Sequence, residues 1–348
     1  MKIKNSVLIF FAVILIAGFS LSGAFAATHL YVVNNLDNSV SIIETATNKV
    51  IGTINVGASP TGIAYNPTYK KAYVVNRGDN TVSIIDAASH FVTGTIAVGA
   101  YPWYVAVDPN VHTIDINQYV KDFPVMYFYV TSAIGNRIDV MISTLDGILT
   151  LPAGNIPLEV PPMIGVFNVT LDVANQKAYA VNCHNAVMDI IDLKTKKMIA
   201  TVENMEKADG FVGVGIDTVL NKVYAVSDYI DVMPVVDANA KKVVTKIKVG
   251  SAPYNVTVDS VRHKAYVANR GSNTISVVNT MNDTVEATVK VGAEPVSTAL
   301  ADGKAYVTNC SGNSVSVIDT ATNNVIDTIM LPGTKPYRGL CPWGIIAF

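Results

Sequence analysis

Few residues in this chain have the type and spacing for chemistry. It holds three cysteines, five histidines, and 25 Lys plus Arg against 27 Asp plus Glu in 348 residues. The histidines are His29, His90, His112, His184 and His263, scattered along the sequence. Zinc and copper centres need several convergent ligands, so no metal site is expected. No C-x-x-C-H run for covalent haem, no G-x-S-x-G and no H-E-x-x-H occurs, so neither a catalytic residue nor a cofactor is assigned. A net charge of -2 leaves no basic excess, and nucleic acid is not expected as a partner. What remains is a set of aromatic and basic residues: Arg77, Tyr101, Trp103, His184, Tyr254, Arg270, Tyr337 and Arg338. Rings and guanidinium groups suit stacking and cation–π recognition. Whether these residues meet depends on the elements that carry them.

Composition sets the frame for those elements. Half of the residues are hydrophobic and only 15% are charged, against about 25% charged in an average globular protein. That excludes a disordered chain and is ample for a large core. The N-terminus reads as a secretory signal peptide: Lys2 and Lys4, an apolar run from Val7, then Ala24-Phe25-Ala26 before a cleavage site. Residues 1–26 are therefore expected to be an export leader, with an uncleaved anchor as the alternative. Removing them leaves 322 residues with a net charge of -4. No second run of 18 apolar residues follows, so no transmembrane segment is expected after cleavage.

The remainder is repetitive. Tyr31-Val32-Val33-Asn34 returns as Tyr73-Val74-Val75-Asn76, Tyr179-Ala180-Val181-Asn182, Tyr224-Ala225-Val226-Ser227, Tyr266-Val267-Ala268-Asn269 and Tyr306-Val307-Thr308-Asn309, with a degenerate copy at Tyr129. The intervals run from 40 to 56 residues. Each unit holds four short β runs. The first starts at the Tyr, and the second is of the type Val82-Ser83-Ile84-Ile85-Asp86. The third is of the type Val50-Ile51-Gly52-Thr53-Ile54, and the fourth, like Gly62-Ile63-Ala64-Tyr65, follows a Gly-x-x-Pro break. Four strands in about 42 residues, repeated, is the pattern of a β-propeller blade. Residues 27–348 are thus expected to form a single all-β domain, a seven-bladed propeller of four-stranded antiparallel blades. With strands lettered A to D from the axis outward, the mature chain opens on a B strand and ends on an A strand. The C-terminal strand should therefore join the N-terminal three and close the ring.

The pieces Tyr-Val-x-Asn, Asn-Thr-Val-Ser-x-x-Asp, Ala-Thr-Asn-x-Val and Val-Gly-x-x-Pro resemble the YVTN-family β-propeller repeat from Leu30 to Phe348. That resemblance implies an exported or surface-layer protein of archaea or bacteria. It is specific for fold and weak for function, because propellers host many chemistries.

In a propeller the B–C and D–A loops share one face, around the channel mouth. That face receives the eight residues named above, with Asn35, Cys183, Asp228, Glu294 and Trp343 beside them. Two readings stand for Tyr101, Trp103, Tyr254 and Trp343: a recognition surface, or packing between blades beside their prolines. Cys310 and Cys341 fall on that face in adjacent blades, and a disulfide between them is one outcome in an oxidising compartment. Cys183 would stay unpaired. Four histidines fall on the opposite face and are expected in exposed turns. Of the sequons at Asn168, Asn255, Asn282 and Asn309, Asn282 in an outer turn is the glycosylation candidate. An insertion is expected at Asn110 to Pro124, and a long Pro-rich loop at Leu151 to Met163.

The function expected from these features is a non-enzymatic scaffold, periplasmic or on the cell surface, binding a cell-envelope protein or glycan. The alternative is an exported propeller enzyme, quinoprotein dehydrogenase-like or lyase-like, with a channel-face site.

Overall fold

The computed structural model describes residues 29–115, 118, 121–134, 137–144, 150–158, 165–182, 186–203, 205, 210–332 and 341–348. The leader at 1–26, Cys183, His184, Tyr337 and Arg338 lie outside them. Among the described residues the chain forms seven antiparallel sheets and no helix. Among these residues no helix is long and apolar enough to cross a membrane.

Blade 2 shows the unit: A Pro60–Asn66, B Lys71–Asn76, C Thr81–Asp86 and D Phe91–Ala97, paired in that order. Strands A of blades 3 to 7 are Pro102–Val107, Val166–Asp172, Gly213–Asp217, Pro253–Asp259 and Pro295–Ala301. Blade 1 is composite. Its B, C and D strands are His29–Asn34, Ser39–Glu44 and Lys49–Asn55, and its A strand is the C-terminal Pro342–Ala347. Leu30 pairs with Ala347, Tyr31 with Ile346 and Val32 with Ile345. His29 and Phe348 exchange two backbone hydrogen bonds at 3.1 and 3.0 Å. The ring thus closes three strands plus one, so no inner strand is left as an open edge.

The core lies between blades. Tyr31, Val33, Val40 and Ile42 of blade 1 pack on Ile63, Ala72, Val74 and Ile85 of blade 2, and the other six seams repeat this. The seven repeat tyrosines are the largest fully buried side chains, each filling one seam. B and C strands such as Lys71–Asn76 and Thr81–Asp86 are buried on both faces, whereas D strands alternate. Two-sided burial of the inner strands accounts for the low charge content.

Two local expectations change. The insertion in blade 3 is partly ordered: His112–Ile114 pairs with the extended start of strand B, at Phe123, Pro124 and Val125. Part of the Pro-rich stretch is not a loop, because Thr150–Pro157 is strand D of that blade. The peptide's need to satisfy its N–H and C=O groups draws both segments into the sheet.

Candidate functional site: the channel mouth

The repeat's Tyr-Val-x-Asn segment sets the floor of this face. Asn76 Nδ2 donates to Thr81 Oγ1 at 3.0 Å and Ser83 Oγ at 2.8 Å. Asn34, Asn269 and Asn309 repeat the bond pair with their own hydroxyls. These buried amides fix the B–C turns of blades 1, 2, 6 and 7. The turn then holds the next blade's D–A corner: Asn38, Asn80, Asp231 and Asn273 accept the N–H of Ser59, Tyr101, Ala252 and Glu294. All four donors have left-handed backbones, φ 49 to 57°, followed by a Pro that opens strand A.

The residue after that Pro, or its counterpart at the start of the other inner strands, therefore points to the axis at the same height. In blades 3, 4, 6 and 1 it is Trp103, Phe167, Tyr254 and Trp343, and their rings close the channel mouth. Centroids are 4.3 Å apart for Trp103–Phe167, 5.6 Å for Tyr254–Trp343, 6.0 Å for Trp103–Trp343 and 6.3 Å for Phe167–Tyr254. Thr61, Val212 and Val296 complete the ring around a cavity of about 20 Å³. Beneath it sit Tyr104, Asn168, Asn255 and Ser297, with Asn255 Nδ2 donating to Ser297 Oγ at 3.3 Å. Burial pushes the Tyr104 phenol up. The channel below encloses about 500 Å³ between the seven A strands. Of its lining residues only Tyr65 and Tyr104 carry an ionisable side chain.

Arginines lie on this aromatic plug. The Arg77 guanidinium is 4.4 Å from the Trp103 ring centre and 5.5 Å from that of Tyr101. Arg270 stands 5.6 Å from the Tyr254 ring centre and pairs with Glu294 at 3.1 Å. The Ser311 hydroxyl, then Arg270, hold the Glu294 carboxyl below its ordinary range. Asp228 has a buried Oδ1 without a hydrogen-bond partner. Its burial raises the carboxyl's pKa, with Arg270 opposing. Cys310 and Cys341 are bonded, S–S 2.04 Å, tying blade 7 to the closing strand.

Five of the eight residues singled out in the sequence thus come together: Arg77, Tyr101, Trp103, Tyr254 and Arg270. His184, Tyr337 and Arg338 fall outside the described residues. Trp103, Tyr254 and Trp343 lie in strands rather than loops, and they pack on one another across the axis rather than only between blades. Phe167 escaped the sequence reading, although Val166-Phe167-Asn168-Val169 aligns with Pro102-Trp103-Tyr104-Val105 and Pro253-Tyr254-Asn255-Val256. The Pro that marks the position is replaced by Val166, which hid it. Asn282 is exposed in the turn between Thr274–Asn279 and Thr284–Lys290, its Oδ1 accepting from Thr284.

The opposite-face histidines are half-buried and partnered, not exposed. His90 Nδ1 meets the Tyr31 hydroxyl at 2.6 Å, His112 meets Asp108 at 2.7 Å, and His263 meets Asp217 at 3.3 Å. His29 stacks on Phe348 with centroids 5.9 Å apart. A turn histidine beside a seam gains aromatic and carboxylate neighbours, which draws it inward. Among the described residues no three His, Cys, Asp or Glu side chains group as metal ligands.

No family model and no curated protein matches the chain. Among solved structures it is similar to hydrazine synthase of Kuenenia stuttgartiensis: 18% identity, 84% of this chain and 93% of that chain covered, TM-score 0.72. It is also similar to a functionally unknown protein from Desulfotomaculum acetoxidans: 10% identity, 92% and 99% covered, TM-score 0.68. AztD from Citrobacter koseri follows at 14% identity, with 93% and 98% covered and a TM-score of 0.62. Likeness at these identities shows the fold, a seven-bladed β-propeller, and leaves function to the site.

Proposed function

We propose that this chain is an exported β-propeller of the YVTN repeat type that acts as a non-enzymatic scaffold. It binds a cell-envelope protein or glycan at the channel mouth, in the periplasm or on the cell surface. The observation that carries the reading is the aromatic plug. Four rings close the axis and two arginines lie over them, so the face offers stacking surface and cation–π-held guanidinium groups. The leader pattern of residues 1–26 supports export. The repeat motifs support the YVTN assignment, and the bonded Cys310–Cys341 pair suits an oxidising compartment. The test is co-precipitation from a cell-envelope extract with the wild type and with an Arg77→Ala/Arg270→Ala variant. Identical partners for both would reject the channel-mouth site.

A propeller enzyme is the second reading, and one observation favours it. The Asp228 carboxyl, raised by burial beside Arg270, is the kind of perturbed group that active sites use. The other carboxyl beside Arg270, that of Glu294, is engaged by the Arg270 guanidinium and the Ser311 hydroxyl, and the stacked rings with their arginines favour the scaffold reading. An Asp228→Asn variant with undiminished binding separates the two.

A further inference from the structure

We propose that the seam between blades 2 and 3 is a carboxylate-binding site, and that its ligand is an acidic sugar, a uronate unit of an envelope polysaccharide. The inference rests on the scaffold reading above and names the ligand class of that face.

The repeat supplies its own control. The residue just after strand B reaches the next blade's D–A corner at successive seams, with different chemistry each time. Asn35 Nδ2 donates to Pro60 O at 2.8 Å. Cys310 is bonded to Cys341. Arg270 pairs with Glu294 at 3.1 Å. Arg77 faces Tyr101 and Trp103. Tyr101 and Glu294 are in register within Gly99-Ala100-Tyr101-Pro102 and Gly292-Ala293-Glu294-Pro295. Their backbones match: φ is 57° and 53°, and each N–H donates to the preceding turn's Asn at 2.8 Å. Only the side chain differs. At the blade 6–7 seam the protein supplies the carboxylate for its arginine. At the blade 2–3 seam it supplies a phenol ring that is 48% exposed, and Arg77 has no carboxylate partner among the described residues.

Stacking uses the face of a guanidinium and leaves its N–H edge free for a planar, bidentate acceptor. Arg77 is half-buried and held between two rings, so little side-chain entropy remains to be lost on binding. The exposed Tyr101 ring beside it suits the apolar C–H face of a pyranose. An extended peptide fits less well, because the backbone here is already engaged. Arg77 N–H donates to Ser59 O, Gly78 N–H to Ala58 O, and Tyr101 O accepts from Ala133. A uronate asks for what is left open, one ring face and one fork.

The experiment is calorimetric titration of the full chain with trigalacturonate and with its neutral counterpart, galactotriose. The acidic trisaccharide should bind at least about tenfold more tightly than the neutral one, as expected for a charge-assisted pair. Tyr101→Glu installs at this seam the carboxylate that Glu294 provides at its own. It should weaken trigalacturonate binding at least about tenfold with an unchanged melting profile. Tyr101→Gln removes the ring without adding charge and should weaken it less. Equal binding of both sugars by the wild type, or equal effects of Tyr101→Glu and Tyr101→Gln, would overturn the assignment. If trigalacturonate does not bind but the plug tryptophans respond to an envelope fraction, the ligand class is wrong and the scaffold reading survives. If neither responds, both fall.

Discussion

Gly57 lies so close to Asn76 that a Cβ on it would stand 2.6 Å from the Asn76 Cγ. Gly250 with Asn269 and Gly292 with Asn309 repeat the contact at 2.6 Å. The Gly of Val-Gly-x-x-Pro and the Asn of Tyr-Val-x-Asn are therefore two halves of one joint. The amide that fixes the B–C turn needs the space that the D–A corner leaves open.

Gly57→Ala should cost about 1–3 kcal/mol, since the Asn76 amide and the Asp79 carboxylate on either side are committed to other bonds. Gly94→Ala, whose nearest atom would be Ile84 Cδ1 at 3.8 Å, should be neutral or stabilising by up to about 1 kcal/mol through the unfolded chain. Urea unfolding of the two variants checks this; equal losses would contradict the joint.

That joint also explains what was legible in the sequence. Tyr31 recurs in every blade, and Asn34 and Gly57 in several, at fixed offsets because each fills a steric or hydrogen-bonding slot, so fold and closure could be read from spacing alone. The plug was legible only in part. Trp103 and Tyr254 follow a Pro and stood out, while Phe167 follows Val166 and did not. Half-burial of His90 and His263 was not legible, because it depends on Tyr31 and Asp217, 59 and 46 residues away.

Breaking the Cys310–Cys341 bridge, which closes 31 residues, should lower stability by about 3 kcal/mol on the chain-entropy model. Cys341→Ser and reduced wild type should both show it in denaturant unfolding. Thiol labelling before reduction should reach only one of the three cysteines. Three labelled thiols, or unchanged midpoints, would count against the bridge.

Deleting residues 344–348 removes the pairs that Ile345, Ile346 and Ala347 make with blade 1 and exposes the buried strand of Leu30 to Val33. The expected outcome is loss of cooperative thermal unfolding. A truncated chain that melts like the full one would show that closure contributes little.

Acid should weaken the blade 1–2 seam in two stages. Burial, then the neighbouring His29, hold the His90 imidazole below its ordinary value, with Asp86 opposing. The unfolded chain therefore takes up the proton first, and stability falls as pH drops below about 6.5. The Lys71 ammonium and the Ser89 turn hold Asp86 well below the usual carboxylate range. Its contribution is complete above about pH 4 and is lost below that. Urea midpoints at pH 7.5, 5.5 and 3.5 should fall stepwise. His90→Gln should reduce the first step and keep the second; an unchanged first step would remove His90 from the explanation.

The chain has two tryptophans, Trp103 and Trp343, and both belong to the plug, with ring centroids 6.0 Å apart. Tryptophan emission, excited selectively over the tyrosines, therefore reports on the candidate site alone. Titration with fractionated envelope glycans and proteins should give a saturable change in tryptophan emission that Arg77→Ala weakens. A ligand that binds with no change in that emission would place recognition elsewhere on the molecule and contradict the channel-mouth scaffold.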